Sequence, residues 1–328
     1  MTLRDQPLIP ATHPELGHRV STALRDFAVH DWLVLAYLCT LNLVLVAAPS
    51  GAARFETFLR TAALLVVQVA ALVVVRGRLL THRFSVALLY RVAIFGTVQM
   101  SYFFLARLLP LVRPGAVDGP LYALDLRLFG VEPAMAFDAY VNPITTEWFA
   151  FFYYCYFFVL ALHVITILMF SQRERIVGEF ALGMLIVFCT GHILYMVVPG
   201  FGPYRMMASE FNHTFPSGMW LDTVMTTVAE GGAQKDIFPS IHTAAPTFIA
   251  MFSFRNRHLL PFKYSWVPVW FISLNIVVAT MFLRWHYVID VVAGLTLAVT
   301  AWYLAVRVTA WETERRQTHR LTPNWPAF

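Results

Sequence analysis

Hydrophobic residues along this chain fall into long unbroken runs, and polar residues are confined to the segments between the runs. A bilayer core of about 30 Å is crossed by roughly 20 apolar residues in a helix. The runs lack the alternation of membrane β-strands, so each one predicts a transmembrane helix. The runs occupy approximately residues 32–48, 58–75, 86–109, 148–170, 177–198, 240–254, 266–283 and 286–308.

The predicted fold is therefore an all-α, polytopic membrane bundle of about eight transmembrane helices. We divide it into an N-terminal tail (1–30), N-terminal transmembrane helices (31–110), a transmembrane domain with the candidate site (111–308) and a C-terminal tail (309–328). The tail before the first run lacks a basic-then-apolar pattern, so we expect no cleaved signal peptide. The alternating stretch at 116–141 predicts an amphipathic interfacial helix whose acidic residues form its polar face. The alternative is that these carboxylates bind the hydroxyls of a polyol headgroup.

Composition agrees with this class of protein. Hydrophobic residues make up 59% of the 328 residues and charged residues only 13%, too few charges to cover a soluble protein or to keep a chain disordered. Of the 24 Lys and Arg residues, fifteen fall on the side of the termini and six on the other side. Positive charge marks the cytoplasmic side, so both termini are predicted to be cytoplasmic.

The segment RWHYVIDVVAG, which opens the last run, carries the strongest chemical signal. His286 and Asp290 are four residues apart, so they project from the same helical face. A carboxylate that accepts a hydrogen bond from one imidazole nitrogen leaves the other nitrogen as a basic lone pair. The alternative is a structural pair that anchors a helix end.

The segment DIFPSIHTAAP, where the sixth run begins, carries the second signal. Pro239 suits the start of a helix, whose free N–H groups and dipole attract anions together with the Ser240 hydroxyl. His242 then lies beside any bound anion. The alternative is a plain proline-started helix with an interfacial histidine.

Both motifs open helices on the same non-cytoplasmic face, which predicts a site facing periplasm or organelle lumen. Two histidines suit phosphoryl transfer, in which one imidazole attacks phosphorus and the other serves the leaving and accepting oxygens. Donors are needed for the phosphate oxygens, and the candidates are Arg205, Lys235, Arg284 and the phenol of Tyr204. No pattern of metal ligands or nucleotide-binding glycines occurs, so we expect neither a metal nor a cofactor.

FPSIH followed by HYVID resembles the second and third signature motifs of the type-2 phosphatidic acid phosphatase (PAP2) superfamily. TMFLRWHYVIDVVAG, VDGPLYALDLRLFG and PGFGPY are similar to its inositol phosphorylceramide synthase, or aureobasidin-resistance, branch. The resemblance implies that His286 is the nucleophile and Asp290 its orienting acid. It also implies that His242 is the general acid and base and that Ser240 contacts phosphate.

The sequence departs from the superfamily pattern at several positions. The arginine expected six residues before the nucleophile is Thr280, and the glycine of the second motif is Ile241. The first motif is only approximated by Arg107 and by Arg113 with its following proline. These departures are shared by the synthase-like branch and favour transfer over plain hydrolysis.

The sequence thus predicts a metal-independent membrane phosphotransferase. It would move a phosphoryl or phospho-headgroup from a lipid donor to an alcohol through a phosphohistidine. A lipid phosphate phosphatase, with water as acceptor, is the competing enzyme. A transporter with a histidine proton relay is the alternative from another class. The expected partners are a membrane lipid and an alcohol or water; no nucleic acid or obligate protein partner is expected.

Overall fold

The computed structural model describes residues 24–328, so residues 1–23 of the predicted N-terminal tail lie outside the described residues. The described chain forms helices and no β-strand. The α-helices, in chain order, are α1 (Val29–Ala47), α2 (Ala52–Arg76), α3 (Arg83–Val112), α4 (Asp118–Phe129), α5 (Pro133–Asp138), α6 (Pro143–Ile165), α7 (Glu174–Val197), α8 (Pro203–Met206), α9 (Met219–Gly231), α10 (Ile241–Arg255), α11 (Phe262–Phe282) and α12 (Val288–His319). A π-helical turn, Thr166–Phe170, continues α6.

Seven of these helices are long and apolar enough to cross a membrane: α1, α2, α3, α6, α7, α11 and α12. The all-α membrane fold is confirmed. The predicted sixth span corresponds to α10, which has 15 residues and is surrounded by other helices instead of lipid. The last span continues to His319, so the first part of the predicted C-terminal tail is helical.

Helix α10 lies at the centre of the second half of the bundle, where it packs on α6, α7, α11 and α12. Small residues allow the close approach. A Cβ added at Gly183 would lie 2.1 Å from the Phe248 ring, and one at Gly294 would lie 2.5 Å from the Ser240 carbonyl oxygen. Glycine at these positions lets α7 and α12 meet α10 backbone to side chain, as membrane helices commonly do.

Helix α10 and the start of α12 are joined directly. The Ser240 N–H donates to the Asp290 carbonyl over 3.0 Å, and the Ser240 hydroxyl accepts from the Thr243 N–H at 3.2 Å as an N-cap. Both predicted motifs therefore begin their helices at the same end of the bundle.

Candidate active site

His286 lies in the turn between α11 and α12 and is buried. Its N–H donates to the Thr280 carbonyl at 3.2 Å. Its Nδ1 is 3.5 Å from Asp290 Oδ2, at the outer limit of a hydrogen bond. The same carboxylate oxygen accepts the Tyr287 N–H at 2.9 Å and so closes the first turn of α12. The carboxylate thus faces Nδ1, and Nε2 is the ring nitrogen directed away from it.

His242 lies on the first turn of α10, between two tyrosines of α6. Its ring stacks on Tyr153, with centroids 4.5 Å apart and planes 12° apart, and its centroid is 4.1 Å from that of Tyr156. Its buried Nε2 has no hydrogen-bond partner among residues 24–328. The backbone hydrogen bond from Ser240 to Asp290 brings the helix start that carries His242 beside the helix start that carries Asp290.

Helix α4 binds the backbone of the loop that follows α7 and lies beside the turn that carries His286. Both oxygens of the buried Asp118 carboxylate accept from backbone N–H groups: Phe201 at 3.0 Å and Gly202 at 2.8 Å. Gly202 has φ of 80°, and a Cβ there would lie 2.2 Å from the Trp285 carbonyl oxygen. Only glycine fits this left-handed position against the turn that carries His286.

The same helix also caps α12. Asp125 accepts from the N–H groups of Val288 and Ile289 at 2.6 and 3.1 Å, where the helix dipole favours a negative charge. The expectation that the acidic residues of 116–141 form a solvated polar face is therefore wrong. Asp118, Asp125 and Asp138 point inward, because the N–H groups of the site loops otherwise lack acceptors there.

Arg284, a predicted phosphate donor, has its guanidinium engaged within the protein. It donates to Asp138 at 2.7 Å and to the His213 carbonyl at 2.8 Å, and it lies between the rings of Phe211 and Phe215. The structure therefore places Arg284 in a buried ion pair that fastens the long connector before α9 to the turn at His286.

Lys235 is similarly engaged. Its ammonium donates to the carbonyls of Pro114 and Gly115 at 2.6 and 3.3 Å, and only 6% of the residue is exposed. Tyr204 and Arg205 are exposed. The Tyr204 N–H donates to the Arg284 carbonyl at 2.6 Å and its ring lies 4.7 Å from Trp285, so this short helix contacts the turn that carries His286.

Arg205 packs its guanidinium over the Phe201 ring at 4.2 Å and forms no ion pair among residues 24–328. Of the predicted cationic donors, it alone has an exposed head beside the site. The arginines near the first-motif position are engaged elsewhere: Arg107 pairs with Glu56 at 2.9 Å and Arg113 donates to the Val197 carbonyl. Thr280 contributes its carbonyl, which holds the His286 backbone.

Asp236 and Tyr102 were missed by sequence reasoning. The Tyr102 hydroxyl donates to Asp236 at 2.9 Å, and both line a cavity together with His242. Burial lowers the pKa of His286, which precedes α12, to about 4, and the Asp236 charge opposes that shift. Asp236 stands four residues before Ser240, so its position in the motif was a usable signal. No sequence signal pointed to Tyr102, because α3 lies far along the chain from both histidine motifs.

Among residues 24–328 no group of three or more His, Cys, Asp or Glu side chains is placed to hold a metal ion. The bundle is that of an integral membrane protein, and the two motif histidines lie at one end of it. The chain belongs to the PAP2 superfamily, which matches residues 120–304, more than half of its length. Membership indicates lipid phosphatase or phosphotransferase activity on a lipid phosphate substrate. No curated protein and no solved structure matches the chain.

Proposed function

We propose that this protein is a membrane phosphotransferase, similar to inositol phosphorylceramide synthases, that moves a phosphoryl or phospho-headgroup from a lipid donor to an alcohol. One observation carries the proposal. Imidazoles from two separate helix starts face the same end of the bundle, one with a carboxylate at Nδ1 and the other with an unpartnered buried Nε2.

In the first half-reaction, His286 Nε2 attacks phosphorus. A P–N bond forms and the bond from phosphorus to the lipid oxygen breaks, while protonated His242 gives its proton to that oxygen. Asp290 holds the Nδ1–H tautomer and stabilises the positive charge on the ring. In the second half-reaction, neutral His242 takes the proton of the acceptor hydroxyl. The new P–O bond forms and the P–N bond breaks.

The phosphate oxygens require donors as charge develops. Arg205, the Ser240 hydroxyl, the Tyr204 phenol and the N-terminus of α10 are the groups we assign to this role. Lys235 and Arg284 act instead by holding the loops that present these groups, because their own charges are engaged. The positive-charge asymmetry supports a site on the non-cytoplasmic face, with both termini cytoplasmic.

The test is incubation of the purified protein in lipid with a labelled phospholipid, with and without inositol-type polyols or ceramide. We expect label transfer to the alcohol, and an acid-labile phosphoenzyme in wild type that His286→Ala lacks. Turnover retained by His286→Ala would remove His286 as the nucleophile. Release of free phosphate or free headgroup phosphate in the presence of every alcohol would identify the competing lipid phosphatase instead.

A further inference from the structure

A cavity of about 750 Å³ begins at His242 and runs into the bundle between α3 and α6. Its outer end is lined by His242, Asp236 and Tyr102. The two helices form opposite walls, because α3 packs on α1, α2 and α7 whereas α6 packs on α9, α10 and α11. The cavity is therefore continuous with the candidate active site.

Away from this polar end the walls are hydrocarbon and aromatic, with Phe95 and Val98 on α3, Val164 on α6 and Leu185 on α7. The rim of the cavity is apolar and exposed as well. Val92 and Phe103 on α3, and Phe157 and Ile165 on α6, are each between 39% and 59% exposed. Exposed apolar side chains on membrane-spanning helices face lipid, so the cavity opens sideways towards the bilayer.

The inner end of the cavity is closed by Arg91, a buried arginine about two turns from the start of α3. Its Nε donates to the Leu168 carbonyl at 2.7 Å and its Nη1 to the Pro326 carbonyl at 2.8 Å. Its guanidinium also lies 4.4 Å from the centre of the Phe328 ring. The C-terminal segment thus supplies partners for a charge that is costly within a membrane.

That segment is itself fixed. Trp325 is buried and stacks on His30, with ring centroids 4.5 Å apart. The Asn324 N–H donates to Glu174, and its carbonyl accepts from Arg76 at 3.0 Å. Arg91 is therefore held from several sides and forms a rigid polar floor beneath an apolar cavity.

We propose that this cavity holds one hydrocarbon chain of the lipid donor, and that Arg91 with the C-terminal segment limits the length of chain that fits. From Tyr102 to Arg91 a helix rise of 1.5 Å per residue gives a depth of about 17 Å. The methyl end of a longer chain meets a guanidinium whose Nε and Nη1 already donate to carbonyls. The assignment of the occupant as the donor's chain rests on the proposed function.

Gly96 offers a test because it lines the cavity about halfway between its two ends. A Cβ at this glycine meets only Val92, at 3.9 Å, so a larger side chain would extend into the cavity without displacing a packed neighbour. Replacing a glycine in a helix interior also raises helix propensity, which favours folding of Gly96→Phe. Met100→Phe is the matched control, because Met100 is exposed on the same helix and does not line the cavity.

The measurement is kcat/KM for a series of phosphatidyl donors of increasing acyl length in mixed micelles. For wild type and Met100→Phe we expect kcat/KM to rise with chain length and then level off or fall. For Gly96→Phe the chain length at which kcat/KM stops rising should be shorter. The ratio of long-chain to short-chain kcat/KM should fall at least tenfold. An unchanged ratio would overturn the chain-binding proposal, as would an equal loss on every donor.

Failure of the chain-binding proposal can be distinguished from failure of the proposed function. If wild type turns over none of the donors, short or long, the phosphotransferase assignment fails. If wild type is active and Gly96→Phe keeps the wild-type chain-length profile, only the cavity assignment fails.

Discussion

The two ends of the bundle use buried polar groups in opposite ways. We call the end with His242 and His286 the outer end, and the end with the C-terminal segment the inner end. At the inner end, Asp31 pairs with Arg76 at 2.8 Å and also accepts from the Tyr90 hydroxyl, and Glu312 pairs with Arg316 at 3.1 Å. Charges there are neutralised by fixed partners. At the outer end, Lys235 and Arg284 likewise hold loops, but one nitrogen of each imidazole lacks a hydrogen-bond partner among residues 24–328, as do Arg284 Nε and Asp290 Oδ1.

Buried polar groups in folded proteins are nearly always hydrogen-bonded, and each exception calls for an explanation. The ion pairs of the inner end follow the rule and stabilise the fold, whereas Thr322 Oγ1, Asn324 Oδ1 and Trp325 Nε1 of the C-terminal segment lack a partner among residues 24–328. At the outer end, His242 Nε2 and His286 Nδ1 are among the exceptions. His286 Nδ1 lies 3.5 Å from Asp290 Oδ2, so His242 Nε2 is the atom that remains for a substrate. The difference separates groups that build the site from groups left available to a substrate, and it can be tested by mutation.

Asp290→Asn should have the largest effect on activity. An amide in place of the carboxylate no longer fixes the reactive tautomer of His286, and comparable changes elsewhere lower kcat by about 10⁴-fold. We expect a loss of about 10³–10⁴-fold in phosphotransfer, measured with the donor of the proposed assay. Asp31→Asn makes the same chemical change at the inner end and should leave kcat per folded molecule near wild type. Equal losses in both variants would contradict the comparison.

Asp138→Ala should have the largest effect on stability at the outer end. It leaves the buried Arg284 without its carboxylate, and removal of one partner from a buried pair costs about 3–5 kcal/mol. Thermal unfolding in detergent is the measurement. Glu56→Ala breaks the exposed pairs with Arg60 and Arg107 and should leave the unfolding midpoint unchanged. Similar midpoints for the two variants would show that Asp138 does not hold the site loops.

Asp236→Asn should change the pH dependence of the reaction. Neutral His286 is required for attack, and burial lowers its pKa to about 4 while the Asp236 charge raises it. Removing that charge lowers the pKa of His286 further, so the acidic limb of the kcat/KM profile should shift to lower pH. A profile that stays in place, or moves to higher pH, would show that Asp236 does not act on His286.

Glu132→Gln should give the smallest effect, on stability alone. Burial raises the pKa of Glu132 from 4.5 to about 7, with the neighbouring Asp125 charge adding to the shift. The folded state is therefore disfavoured progressively as pH rises from about 4.5 to 7, and fully above 7. The glutamine keeps the oxygen that caps the Ala134 N–H. We expect a higher unfolding midpoint at pH 8 and little change at pH 5; equal shifts at both would contradict this.

Sequence reasoning located the histidine pair because its signals are local. The four-residue spacing of His286 and Asp290 places them together on any helix start, and Pro239 with Ser240 marks the start of α10. It was harder to predict which cation is free to bind phosphate, because Lys235, Arg284 and Arg205 all lie in polar loops of the sequence. Whether a loop cation is free depends on carbonyls and carboxylates far away in the chain, such as Pro114 and Asp138.

The order of residues was sufficient to predict the class of fold, the approximate membrane spans and the helix starts that carry the histidines. These follow from hydrophobic run length and nearest-neighbour backbone chemistry, which act over one or two turns. Long-range packing decided that α4 turns its carboxylates inward, that Asp236 accepts from Tyr102, and that the C-terminal segment closes the cavity below Gly96. These contacts join residues from 83 to 235 positions apart, and they depend on packing that no local pattern encodes.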